Sequence, residues 1–133
     1  MIKILVVDDM SQWRNFHKNA LSVVLKDRDF DLTVKSSATE AIEDIQKNSS
    51  TQYDLIITDL QMELDYEPDH AGEWLVKEVQ KLSGYKNTKI IIVSAAYNIK
   101  IIAQNLKVDC IAKPTLINNL LVYELKIKEA LNC

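Results

Sequence analysis

A three-layer α/β fold, with five parallel strands sandwiched between helices, is predicted by three observations. Short apolar runs alternate five times with segments of helical periodicity along 133 residues. Alternation of this kind implies a parallel sheet built with right-handed crossovers. The clearest runs, such as Ile4-Leu5-Val6-Val7 and Ile90-Ile91-Ile92-Val93, are apolar throughout, as strands covered on both faces are. Four runs also end on polar residues: Asp8-Asp9, Asp59, Ser94, and Lys113-Pro114. In a parallel sheet these side chains share the edge outside the carboxyl ends of the strands, where open α/β sheets hold their ligands.

The elements follow in order. Strand one covers roughly Lys3 to Asp8. Helix one starts near Ser11, a suitable N-cap, and turns Trp13, Phe16, Ala20, Leu21 and Val24 to the core. Strand two is short, with Phe30, Leu32 and Val34 alternating. Ser37-Ala38-Thr39-Glu40 has the form of a capping box and opens helix two, whose buried face is Ala41, Ile42 and Ile45. Strand three runs from about Asp54 to Asp59. A long connection, Leu60 to Ala71, leads to helix three with Leu75, Val79 and Leu82 on one side. Ser83 to Asn87 breaks the pattern before strand four, Lys89 to Val93. Helix four spans roughly Asn98 to Leu106, with Ile102 and Leu106 inward. Strand five is Asp109 to Ala112, and helix five runs from Thr115 almost to the end. The expectation is one domain over residues 1–133, without repeats or linkers.

Composition narrows the function. A hydrophobic fraction of 47% suits one globular core, and a net charge of −3 with no basic stripe argues against nucleic acid. No apolar run reaches membrane-span length, and the strand-like start leaves no room for a signal peptide. Cys110 and Cys133 do not make a disulfide framework, so a reduced, cytoplasmic protein is expected. The two glycines, Gly72 and Gly84, form neither a dinucleotide nor a Walker loop. Phosphate chemistry would therefore rest on side chains and a metal.

The ordered set Asp8-Asp9, Asp59, Ser94 and Lys113-Pro114 resembles the receiver domain of two-component response regulators over nearly the whole chain, most like the stand-alone regulators of the chemotaxis type. The resemblance implies a doubly wound, flavodoxin-like sheet of order 2-1-3-4-5. It also implies a phosphorelay protein, not an enzyme with turnover, in which Asp59 accepts a phosphoryl group. Each residue alone has a bland reading as a cap, a strand end or a solvated charge. Their coincidence at successive strand ends does not.

The chemistry agrees with these roles. A carboxylate can attack phosphorus and hold it as an acyl phosphate. Clustered carboxylates repel, each pair costing about 4 kcal/mol at ~4 Å and an effective dielectric of ~20. Mg²⁺ removes that cost with oxygen ligands. Asp9 is expected as a direct ligand, Asp8 as a direct or water-mediated one, and Asp59 as nucleophile and ligand. The resemblance implies the carbonyl of Gln61 as the backbone ligand. Lys113 and Ser94 would hold phosphoryl oxygens. Implied partners are a histidine kinase or histidine phosphotransfer protein, and an unidentified output partner.

The chain departs from the family pattern in several places. Cys110 stands where an aromatic residue is usual, and Tyr97 is a candidate to replace it. The connection after Asp59 lacks the usual Met-Pro, brings Gly72 about five residues late, and holds Glu63, Asp65, Glu67, Asp69 and His70. It is expected to be a solvated acidic loop, without the Gly and Glu of a calcium loop. Gln61 and Ala96 flank the site and would tune phosphoryl lifetime. Helix five carries two apolar stripes: Leu116, Leu120, Tyr123 and Ile127, and Ile117, Leu121 and Leu125. The second either belongs to a wide core face or binds a partner or a second copy of the chain. Two other functions compete. One is an adaptor of receiver fold acting by protein binding without phosphorylation. The other is a phosphohydrolase of the haloacid dehalogenase type, which wants Asp-x-Asp after strand one where this chain has Asp8-Asp9-Met10.

Overall fold

The computed structural model describes residues 1–48, 52–63, 65 and 67–133. Its elements are β1 (Ile2–Val7), α1 (Ser11–Val24), β2 (Phe30–Lys35), α2 (Ala38–Lys47), β3 (Leu55–Thr58), α3 (Ala71–Gln80), β4 (Lys89–Ser94), α4 (Ile99–Leu106), β5 (Asp109–Ala112), α5 (Lys113–Leu116) and α6 (Leu120–Leu131). Single 3₁₀ turns lie at Pro68–His70 and Ser83–Tyr85. All strand pairings are parallel and the sheet order is β2-β1-β3-β4-β5, as expected.

Strand alternation sorts the apolar runs into two cores. Leu5, Val7, Ile56, Ile90 and Ile92 pack with Ala41 and Ile45 of α2, Leu75 and Val79 of α3, and Ile99 and Ala103 of α4. Ile4, Val6, Leu55, Ile57, Ile91 and Val93 pack with Ala20, Leu21 and Val24 of α1 and with Tyr123 and Ile127 of α6. Each face is thus covered by helices, which is why the runs contain no polar interruptions.

Three local expectations change. Ser11 is the first helical residue and not the cap; Met10 occupies the cap position and supplies no side-chain bond. The last helix is two helices. Asn118 and Asn119 interrupt it, since their side chains compete with the helical backbone, and Asn119 adopts φ −149° before α6. Third, the acidic loop is not simply solvated. The Ser37 hydroxyl accepts from the Glu40 amide at 3.1 Å, but Glu40 returns its carboxylate to the hydroxyls of Ser36 and Ser37 and not to a backbone amide. The free amides of Ala38 and Thr39 donate instead to Asp65, at 2.8 and 3.0 Å. A loop carboxylate therefore caps α2 from outside the helix. Within the predicted connection 60–71, residues 64 and 66 lie outside the described ones.

Stripe one of the C-terminal segment behaves as predicted at Leu116, Tyr123 and Ile127, all buried, whereas Leu120 is exposed. The second stripe, Ile117, Leu121 and Leu125, is well over half exposed and belongs to neither core.

Gly72, the second residue of α3, lies against the end of β3. Its amide donates to Leu60 O at 2.9 Å. A Cβ there would lie 2.1 Å from Asp59 O and 2.6 Å from Leu60 Cα, both backbone atoms. We expect Gly72→Ala to lower stability by about 1–3 kcal/mol or more, read as an earlier urea midpoint. Gly84→Ala is the control. Its new Cβ would meet only the Gln52 side chain, which can move, so its midpoint should shift far less.

His17 on α1 is 1% exposed, and its Nδ1 lies 2.9 Å from the Tyr123 hydroxyl. Burial, then the Lys113 charge, lowers its pKa from 6.5 to about 3. The unfolded chain therefore takes up a proton below 6.5 that the fold refuses. Stability is intact above that pH and falls as the pH drops towards 3, by about 1.4 kcal/mol per unit. Between pH 6.5 and 5, His17→Gln should lose about 2 kcal/mol less than the native chain in parallel urea titrations.

Candidate functional site

The site is a product of register. Val7 of β1 lies opposite Thr58 of β3. The backbone ladder continues one step beyond both strands, with the Asp59 amide donating to Val7 O at 3.0 Å and the Asp8 amide to Lys35 O at 3.1 Å. Asp8 and Asp59 are thereby neighbours, both buried. They continue the alternation of Ile4–Val6 and Leu55–Ile57, towards the face that α1 and α6 cover.

Each carboxylate is held by one backbone amide. Asp8 Oδ1 accepts from Met10 at 2.9 Å, Asp59 Oδ1 from Leu60 at 2.6 Å, and Asp9 Oδ2 from Glu63 at 3.0 Å. Lys113, the first residue of α5 and 6% exposed, enters from the end of β5. Its ammonium donates to Asp59 Oδ2 at 2.8 Å and lies 2.9 Å from Asp8 Oδ2. The contact with Asp8 is an ion pair without hydrogen-bond geometry, so Asp8 Oδ2 remains a buried acceptor with no hydrogen-bond donor.

Oxygens of Asp8, Asp9 and Asp59 all lie within 4.8 Å of one another. Burial raises the Asp8 pKa above 3.8, and the Asp59 charge adds to this. The Met10 amide and the Lys113 ammonium pull the other way. One ammonium faces three carboxylates. An oxygen-only donor set of clustered carboxylates fits a hard divalent cation. Among the described residues this is the one cluster of three such groups. Glu63 to His70 thus make no second centre there: Asp65 caps α2, and His70 lies 3.6 Å from Glu73.

Of the other predicted site residues, Ser94 closes β4, one step past Val93, at the same sheet edge. It is 2% exposed, and its hydroxyl accepts from the Ala96 amide at 3.2 Å. Gln61, two residues past Asp59 in the sequence, is exposed. Cys110 is half-buried, and burial, reinforced by the Asp109 charge, raises its thiol pKa, which disfavours a reactive thiolate. Tyr97 is 99% exposed. Trp13 packs against the core, as its helical spacing predicts, and its ring centroid also lies 4.8 Å from Lys113 Nζ. Its position in the first turn after Asp8-Asp9 is the sequence signal for that second contact.

The family described as response regulator receiver domain matches residues 4–123. No curated protein matches the chain. Among solved structures, a response regulator receiver domain protein from Clostridium thermocellum is similar at 23% identity, with a TM-score of 0.76 over 99% of this chain and 95% of that one. The chemotaxis response regulator CheY4 of Vibrio cholerae aligns at 24% identity and a TM-score of 0.72, covering 98% of each chain. The Mn²⁺-bound form of response regulator Rcp1 aligns at 19% identity and a TM-score of 0.72, over 97% of this chain and 93% of that one. These likenesses describe the shared fold. The family match spans all four strand ends, and on it the chain belongs to the response regulator receiver domains.

Proposed function

We propose that residues 1–133 act as one phospho-accepting receiver domain in the cytoplasm, with Asp59 the phosphoryl acceptor. The observation that carries this reading is the gathering of three acids within 4.8 Å beneath one buried ammonium. The carboxylates of Asp8, Asp9 and Asp59 and the carbonyl of Gln61 would hold Mg²⁺. When bound, that ion supplies charge neutralisation for the acids and for incoming phosphoryl oxygens.

The chain's own groups do the rest. An Asp59 oxygen attacks the phosphorus of a phosphohistidine on a histidine kinase or phosphotransfer protein. The P–N bond breaks, the imidazole leaves with the electron pair, and an acyl phosphate remains. Lys113 exchanges its bond to Asp59 Oδ2 for one to a phosphoryl oxygen. The Ser94 hydroxyl turns from acceptor to donor towards another. Gln61 orients the water that later hydrolyses the acyl phosphate, and Ala96 is too small to shield it. The added charge biases the surface around α4, β5 and α6 towards an output partner. The exposed stripe Ile117, Leu121 and Leu125 suits either that partner or a second copy of the chain.

Acetyl phosphate with Mg²⁺ should add one phosphoryl group to the intact mass, localised to Asp59 and absent in Asp59→Asn. Labelling that persists in Asp59→Asn would falsify this assignment. An adaptor that works without phosphorylation would instead show no chemical-shift response to beryllofluoride with Mg²⁺.

Lys113→Met should cost about 3–5 kcal/mol in chelator at neutral pH, because it strips buried acids of their cation. The already raised pKa of Asp8 then climbs further. A raised carboxyl pKa means that the fold gains stability as pH falls through it and loses stability as pH rises. The deficit should therefore shrink on acidification, and also on adding Mg²⁺, in urea melts.

A further inference from the structure

Two carboxylate oxygens and one indole face surround the Lys113 ammonium: Asp59 Oδ2 at 2.8 Å, Asp8 Oδ2 at 2.9 Å, and the Trp13 ring with its centroid at 4.8 Å. That separation lies within the range of a cation–π contact, and the 6% exposure of Lys113 leaves little water to weaken it. The ring is not free to wander. Phe16 stands edge-on to it at 5.1 Å and 66°. Phe16 in turn meets Tyr123 of α6 at 5.3 Å and 82°, and Tyr123 is tied to His17. Trp13 is itself partly buried.

We propose that Trp13 is a positioning residue for Lys113, a role that rests on the phospho-accepting reading above. The acids both bind the ammonium and repel one another, so they do not define a single place for it. An indole face attracts a cation without competing for its protons or adding charge. It therefore retains the ammonium at the carboxyl edge while the hydrogen bond to Asp59 is surrendered. The lysine then moves to a phosphoryl oxygen and not into water. Apolar packing alone would make the site depend on the shape of residue 13. Positioning by the ring face makes it depend on the electron density of the ring.

The chain has two tryptophans. Trp74 lies on α3 and is 41% exposed. Trp74→Phe thus leaves Trp13 alone, and fluorinated tryptophans can be incorporated there in increasing degree. Beryllofluoride affinity in the presence of Mg²⁺ should weaken stepwise with fluorination, to about tenfold in the most fluorinated protein, while urea midpoints stay together. Trp13→Phe should fall between the parent and Trp13→Leu. In the cation-free protein, the Lys113 ammonium resonance should show an upfield ring-current shift that Trp13→Leu abolishes. An affinity that is flat across the fluorinated series, or an ammonium resonance unmoved in Trp13→Leu, overturns the role of Trp13 and leaves the phospho-accepting reading standing. Failure of the parent protein to bind beryllofluoride overturns both.

Discussion

Mutual repulsion among Asp8, Asp9 and Asp59 is the constraint around which this domain is organised. Parallel pairing of β1 with β3 brings two of these acids side by side because Val7 stands opposite Thr58. Nothing in strand pairing alone makes such a neighbourhood tolerable, since like charges a few ångströms apart in a dry site cost several kcal/mol. The fold answers locally. One amide goes to each acid, and a lysine arrives from the far end of the chain. The answer is incomplete, and an acidic centre short of positive charge is suited to hold a cation.

Elements that look peripheral serve this centre. The connection after β3 is tethered at both ends of its job. The Glu63 amide touches Asp9, and the Asp65 carboxylate caps α2. On the opposite side of the sheet, Trp13, Phe16, His17 and Tyr123 join α1 to α6 through aromatic edges and one buried polar contact. Lys113 sits at the head of this stack. The strand-end cluster is thus linked to α6, which also presents Leu121 and Leu125 outward.

Much of this was legible in the residues. Continuous apolar runs named the strands because doubly covered strands cannot alternate with polar residues. Asp8, Asp9, Asp59 and Lys113 were legible because each sits one or two positions past such a run. Features that depend on three-dimensional neighbours were not legible. The acids of the loop read as solvated, but Asp65 meets the remaining free amides of α2 only after the chain has folded back 26 residues. Trp13 has the spacing of a core residue, and periodicity does not reveal that a lysine from residue 113 will lie beneath it. His17 shares the helical spacing of Trp13, Ala20 and Leu21, but its polar type hid that it would be buried. The break at Asn118-Asn119 was visible as composition, yet the strong apolar pattern on either side masked it.

The crowding at Gly72 has a bearing on how the region varies. Main-chain atoms of Asp59 and Leu60 approach so closely that α3 must begin at one fixed spot. The connection between β3 and α3 is therefore pinned where it meets Gly72. Length added between these two elements falls on the stretch whose Glu63 amide holds Asp9 and whose Asp65 carboxylate caps α2, so an insertion there reaches the acidic centre and the neighbouring helix together.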